Sequence, residues 1–151
     1  VRQAAYLIYA NISGDTRSTG QVLENKIPSI LFAPPVIATS VVENTGNIYT
    51  RAEYLLEVKS FFGGKVAYTN ADNKDSQTIF PNTERYHEVT WEGAPQIGLF
   101  KVKQTIKIFD QVSEVEKIVF ICPIWFLIII IAVIGVVVFW FVSRIFKRRT
   151  A

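Results

Sequence analysis

With 151 residues, half of them apolar, the chain has room for one ordinary domain or for a small domain with an appendage. The formal net charge of +3 hints at nucleic acid only until it is mapped. Arg144, Lys147, Arg148 and Arg149 crowd the C-terminus, the remainder is close to neutral, and no basic patch is left for a DNA or RNA backbone.

Residues 1–29 are the hardest to place. AAYLIYANI has the composition of a strand, and SGDTRSTG is a polar turn of the kind found between domains. The stretch either adds a strand to the domain that follows or closes a preceding one. Val1 opens the chain with neither an initiator methionine nor a visible signal peptide. An exterior domain ahead of a C-terminal anchor needs an export signal, so a cleaved signal or a longer chain is expected. Asn11-Ile12-Ser13 is a formal glycosylation sequon.

From residue 30 to residue 109 the rhythm is that of strands and turns. A strand over 36–43 runs into Asn44-Thr45-Gly46-Asn47, a turn signal because Gly and Asn tolerate left-handed geometry. Tyr54, Leu56 and Val58 then alternate with Glu57 and Lys59. Gly63-Gly64 offers the positive backbone angles of a tight turn before Val66 and Tyr68 resume, which predicts a β-hairpin. Pro81-Asn82 marks a further turn, RYHEVTW places His87, Val89 and Trp91 on one face, and WEGAPQIG reads as a loop. In LFKVKQTIKI, Phe100, Val102, Ile106 and Ile108 alternate with Lys101, Lys103, Thr105 and Lys107, one face buried and the other wet. Gln104 breaks that apolar face, at an end of the core or bonded to a neighbouring strand. About seven short strands at this spacing predict an all-β fold, a small immunoglobulin-like antiparallel sandwich over 30–109.

Residues 110–117 read as a juxtamembrane linker. Residues 118–142, IVFICPIWFLIIIIAVIGVVVFWFV, carry no charge and exceed the ~20 apolar residues that cross a bilayer as a helix. A helix apolar on every face needs either lipid or a large protein around it. Residues 143–151 form a basic tail. Basic residues favour the cytoplasmic side, which predicts a single-pass protein of the cell membrane with its N-terminal domain extracellular. Trp125 and Trp140 lie near the two ends of the span, and Pro123 belongs to its first turn. Cys122, the one cysteine, rules out an internal disulfide; a packed thiol at the start of the span is favoured over lipidation. Ala132 and Gly135, three apart rather than four, signal close helix packing only weakly.

A search for chemistry returns no G-x-S-x-G, Walker loop, HExxH or CxxC. His87 lacks identifiable convergent partners and reads as a partly buried strand histidine. Asp72, Asn73 and Asp75 lack the EF-hand pattern and its closing Glu, and read as a solvated hairpin tip. No catalytic, cofactor-binding or metal residue is assigned, no cofactor is called for, and the chain is not expected to be an enzyme.

The order VENTGNIYTRAEYLLEVKSFFGGKVA, IFPNTERYHEVTWEG, GLFKVKQTIKI and a C-terminal anchor resembles the membrane-proximal part of the WxL-interacting cell-surface proteins and related prokaryotic envelope proteins. The matching positions are Asn44, Gly46, Asn47, Phe62, Gly63, Val66, Pro81, Arg85, Val89 and Trp91. The likeness extends back to ISGDTRSTG, similar to the end of the domain that precedes this one in such proteins. The resemblance implies an immunoglobulin-like domain before a transmembrane helix, and extracellular attachment to other surface or cell-wall proteins or to peptidoglycan. The expectation is an anchored binding or scaffolding module, with the loops at 70–77 and 92–98 as candidate contact surfaces. The alternative is an accessory subunit of a membrane enzyme or transport complex, held through its helix.

Overall fold

The structure, a computed structural model, describes residues 14–149. Two β-sheets face each other across one core, and a single helix follows. The smaller sheet runs β1 (Gly20–Lys26), β3 (Val36–Asn44), β7 (Thr83–Trp91). The larger runs β2 (Ile30–Leu31), β9 (Gln111–Ile121), β8 (Gly98–Ile108), β4 (Thr50–Ser60), with β5 (Val66–Thr69) and β6 (Asp75–Ile79) sharing the far edge of β4. All pairings are antiparallel except the short contact of β2 with β9. Three strands packed on a larger sheet are consistent with the immunoglobulin-like class.

Period-two alternation sets the core. Ala52, Tyr54, Leu56 and Val58 of β4 point inward and are buried, as are Phe100, Val102, Ile106 and Ile108 of β8. Val36, Ala38 and Val42 of β3, with Val89 and Trp91 of β7, close it from the other sheet. Trp91 lies edge-on to Phe100, ring centroids 5.1 Å apart, and near-parallel to Tyr68 at 6.1 Å.

The Gly63-Gly64 hairpin forms as expected, both residues at positive φ. The Asn44–Asn47 turn carries the chain from one sheet to the other. Three boundaries differ from expectation. First, β1 pairs with β3 and so adds a strand to the sandwich; AAYLIYANI and the Asn11 sequon lie outside the described residues. Second, residues 111–121 are strand β9, paired with β8 along its whole length, where a linker and the start of the span were expected. Third, the helix α1 (Ile124–Arg149) starts after Pro123 rather than at residue 118. Proline biases the residue before it away from helical geometry. The Pro123 carbonyl accepts the first helical N–H groups, from Phe126 (3.0 Å) and Leu127 (3.3 Å).

Cys122 therefore lies ahead of the helix. It is buried where the sandwich meets the helix, its N–H donating to the Leu31 carbonyl at 2.9 Å. Gln104, expected at an end of the core or bonded to a neighbouring strand, is fully buried with neither amide atom bonded. The apolar window Ile124–Phe141 makes α1 long and apolar enough to cross a membrane.

Candidate functional site

Asn44, Gly46 and Asn47, read from sequence as a bare turn, hold the incoming chain. The buried Asn44 side chain accepts the Gly46 N–H at 2.9 Å and donates to the carbonyls of Ile48 (2.8 Å) and Ile79 (3.1 Å), tying the turn to β6. Asn47 Oδ1 accepts the Arg17 N–H at 2.6 Å, and its Nδ2 donates to the Asp15 carbonyl at 2.7 Å. Thr45 Oγ1 pairs with Thr19 Oγ1 at 3.1 Å. Gly46 must be glycine for this, since a Cβ there falls 2.2 Å from the Arg17 carbonyl oxygen. The result is a clasp that fixes residues 15–19 to the end of the sandwich opposite α1.

A second polar cluster lies along the β4 edge, where β5 stops and β6 has not begun. The chain bends through one 3-10 turn, Ala71–Asn73, and the Asn70 side chain takes the place of a strand peptide. Its Oδ1 accepts the Leu56 N–H at 2.8 Å, and its Nδ2 donates to the Tyr54 carbonyl at 3.1 Å. Sequence reasoning placed Asn70 only at a loop boundary; its signal was a carboxamide, both donor and acceptor, between two short strand patterns. Replacing Asn70 by Ala strands a buried N–H and a buried C=O at about 1–3 kcal/mol each. Asn70→Ala is expected to lose roughly 2–4 kcal/mol of stability, and Asn70→Asp, which cannot donate, is not expected to rescue it; denaturant unfolding measures both.

His87 stacks on Tyr54, centroids 4.1 Å apart, and its carbonyl accepts from Ser40 Oγ at 3.2 Å. Neither His87 Nε2 nor the Tyr54 hydroxyl has a hydrogen-bond partner. Burial lowers the imidazole pKa, opposed by the carboxylates of Asp75 and Glu88, and burial pushes Tyr54 up to about 12. The geometry of the pair is that of a packed ring stack.

Because the folded His87 pKa lies below its ordinary 6.5, the unfolded chain binds the proton first as the pH falls. Its contribution to stability is full above pH 6.5 and declines as the pH drops towards the lowered folded value. His87→Phe is expected to flatten that dependence in urea titrations between about pH 5 and pH 7.

Asp72 and Asn73 are exposed on the 3-10 turn, while Asp75 begins β6 and accepts from Asn70 Nδ2 at 3.4 Å. Among the described residues no group of three or more His, Cys, Asp or Glu could hold a metal ion. The two loops proposed as contact surfaces do not converge. Residues 70–77 lie along the side edge of β4, and 92–98 lie at the α1 end between β7 and β8. Of the other residues carrying the family resemblance, Phe62 and Gly63 form the hairpin turn, Val66 opens β5, Pro81 precedes β7, and Arg85, Val89 and Trp91 lie within it.

No family model matches the chain, and no curated protein matches it. Solved structures do. The β-glucosidase of Listeria innocua in complex with glucose aligns with a TM-score of 0.52 at 11% identity, over 74% of this chain and 17% of that one. The same enzyme with isofagomine gives 0.50 at 11% identity, over 71% and 17%. The CARDB domain of a Pyrococcus furiosus protein aligns at 0.42 with 15% identity, over 78% of this chain and all of that one. The chain thus spans about a sixth of the glucosidase's length, and at this identity the likeness is one of fold alone.

Proposed function

We propose that the chain is a single-pass, membrane-anchored cell-envelope protein whose exterior β-sandwich is a non-enzymatic binding or scaffolding module, used in adhesion or surface assembly. The carrying observation is polarity: the chain is clasped at one end of the sandwich, at Asp15–Thr19, and leaves the other end into α1 after only Cys122 and Pro123. Eleven-residue strands such as β8 make the sandwich roughly 35 Å tall. A body built this way holds whatever is joined or bound to its outer end at a fixed height above the bilayer. Arg144 and the basic residues after it favour a cytoplasmic tail and an extracellular sandwich.

The partners that suit this role are the bilayer itself and other surface or wall components, proteins or peptidoglycan, in keeping with the resemblance to WxL-interacting proteins. Cross-linking in intact cells, followed by detergent extraction and mass spectrometry, tests it. Recovery of surface or wall partners is the expected result. A stoichiometric complex with a membrane enzyme or transporter, lost when α1 is replaced by an unrelated apolar helix, would move the assignment to an accessory subunit.

A further inference from the structure

We infer that the α1 end of the sandwich is itself a lipid-binding surface, an apolar rim seated in the headgroup layer so that the domain stands on the membrane in a fixed pose. This rests on the anchored reading above.

The first observation is where the exposed apolar side chains fall. Among the described residues ahead of α1, eight of the twelve exposed large hydrophobic residues lie in the half of the sandwich nearer the helix. The outermost are Phe32, Phe61, Phe62 and Ile97, with Phe62 79% exposed. They come from three separate connections: the segment after β2, the β4–β5 turn, and the β7–β8 loop. The ladders set them level with one another. Leu31 pairs with Ile121, Ile121 with Gly98, and the Phe61 N–H donates to the Leu99 carbonyl at 3.0 Å. Phe32, Gln96, Pro123 and Trp125 border a single open cleft, so these connections and the first turn of the helix share one end of the molecule.

The second observation is length. The uncharged part of α1 runs from Ile124 to Ser143, about 30 Å of helix against a hydrocarbon core of about 30 Å. No turn of helix is left over to raise the sandwich. Between the last residue of β9 and the first of α1 stand only Cys122 and Pro123, both buried. Two extended residues reach at most about 7 Å, no more than one headgroup layer of about 5–7 Å. With Ile124 at the hydrocarbon boundary, Phe61, Phe62, Phe32 and Ile97 lie in that layer, where aromatic and aliphatic side chains gain from partial burial. Scattered surface hydrophobes are ordinary in a soluble domain, but a one-ended distribution at the helix exit is what a lipid-facing rim requires.

Charge decides what kind of attachment this is. Lys65 and Glu92 flank the rim, and Lys59 and Lys101 above it are paired with Glu57 and Glu116. The charges nearly balance, so the contact is apolar and is expected to persist in about 1 M salt, where the Debye length is about 3 Å.

The test uses the full chain reconstituted in vesicles of zwitterionic and anionic phospholipid. Single cysteines are placed by Phe62→Cys, Ile97→Cys and, at the opposite end, Asp110→Cys, and are labelled with an environment-sensitive fluorophore; the parent chain with its buried Cys122 is the blank. Flotation after an alkaline wash reads the anchor by itself. The expected result is that labels at 62 and 97 lose most of their emission to quenchers carried on lipid headgroups and are shielded from aqueous iodide, with the reverse at 110. In a Phe61→Asp, Phe62→Asp background the label at 97 is expected to become accessible to iodide while the chain still floats. Iodide quenching at 62 and 97 equal to that at 110, in a chain that floats, would overturn the rim and leave the anchor standing. A chain that fails to float would overturn both. Energy transfer between labels that rises with protein-to-lipid ratio, without lipid quenching, would make the rim an interface between copies and would also overturn it.

Discussion

Trp91→Ala is expected to unfold the sandwich or bring it close to unfolding. The indole is 4% exposed and packed between Tyr68 and Phe100, and its backbone pairs with Val36 at the first rung of the smaller sheet. Truncating a buried Trp costs about 3–5 kcal/mol, against about 5–15 kcal/mol for a whole domain. In a domain of this size each kcal/mol moves the melting temperature by about 4–8 °C, so a drop of roughly 15 °C or more is expected. Near-UV circular dichroism of the full chain in detergent measures it, and Trp91→Phe, which keeps an aromatic face, is expected to lose less. An unchanged transition would place Trp91 at the surface and make it an anchor for a partner instead.

Gln104→Met is expected to work in the opposite direction. Gln104 is fully exposed to the core and not at all to solvent, opposite Leu56 in the β4–β8 ladder, with both amide atoms unpaired. An unpaired buried amide costs about 1–3 kcal/mol, and Met has nearly the same shape without that penalty. A stability gain of about 1–3 kcal/mol follows, read as a higher denaturant midpoint with an unchanged slope. A loss instead would show the amide to be satisfied, by a buried water for instance.

What could be read from the sequence was decided by periodicity. β4, β8 and the second half of β7 alternate cleanly, and their inward residues, Trp91 included, are buried in the structure. β9 was missed because its helix-side end, IVFI, is apolar on both parities and runs straight into the helix, where composition does not separate a strand from a helix. The discriminating signal lay across the ladder. Lys101 and Lys103 face Glu116 and Glu114 at 2.7 and 2.8 Å, so KVK and EVE are complementary neighbours, although each exposed pair contributes only about 0–1 kcal/mol. The turn at Asn44–Asn47 was legible as a turn and not as a clasp, because its partners, Asp15 and Arg17, lie some thirty residues away. Asn70 was hidden for a similar reason: its role exists only once β5 and β6 share one edge of β4.

An anchored sandwich outside the cell is open to protease added to intact cells that express the full chain with a C-terminal epitope. Residues ahead of Cys122 are expected to become susceptible under conditions that loosen the sandwich, as with Trp91→Ala, while a membrane-protected fragment retaining α1 and the epitope survives. Loss of the epitope with the sandwich retained would contradict it.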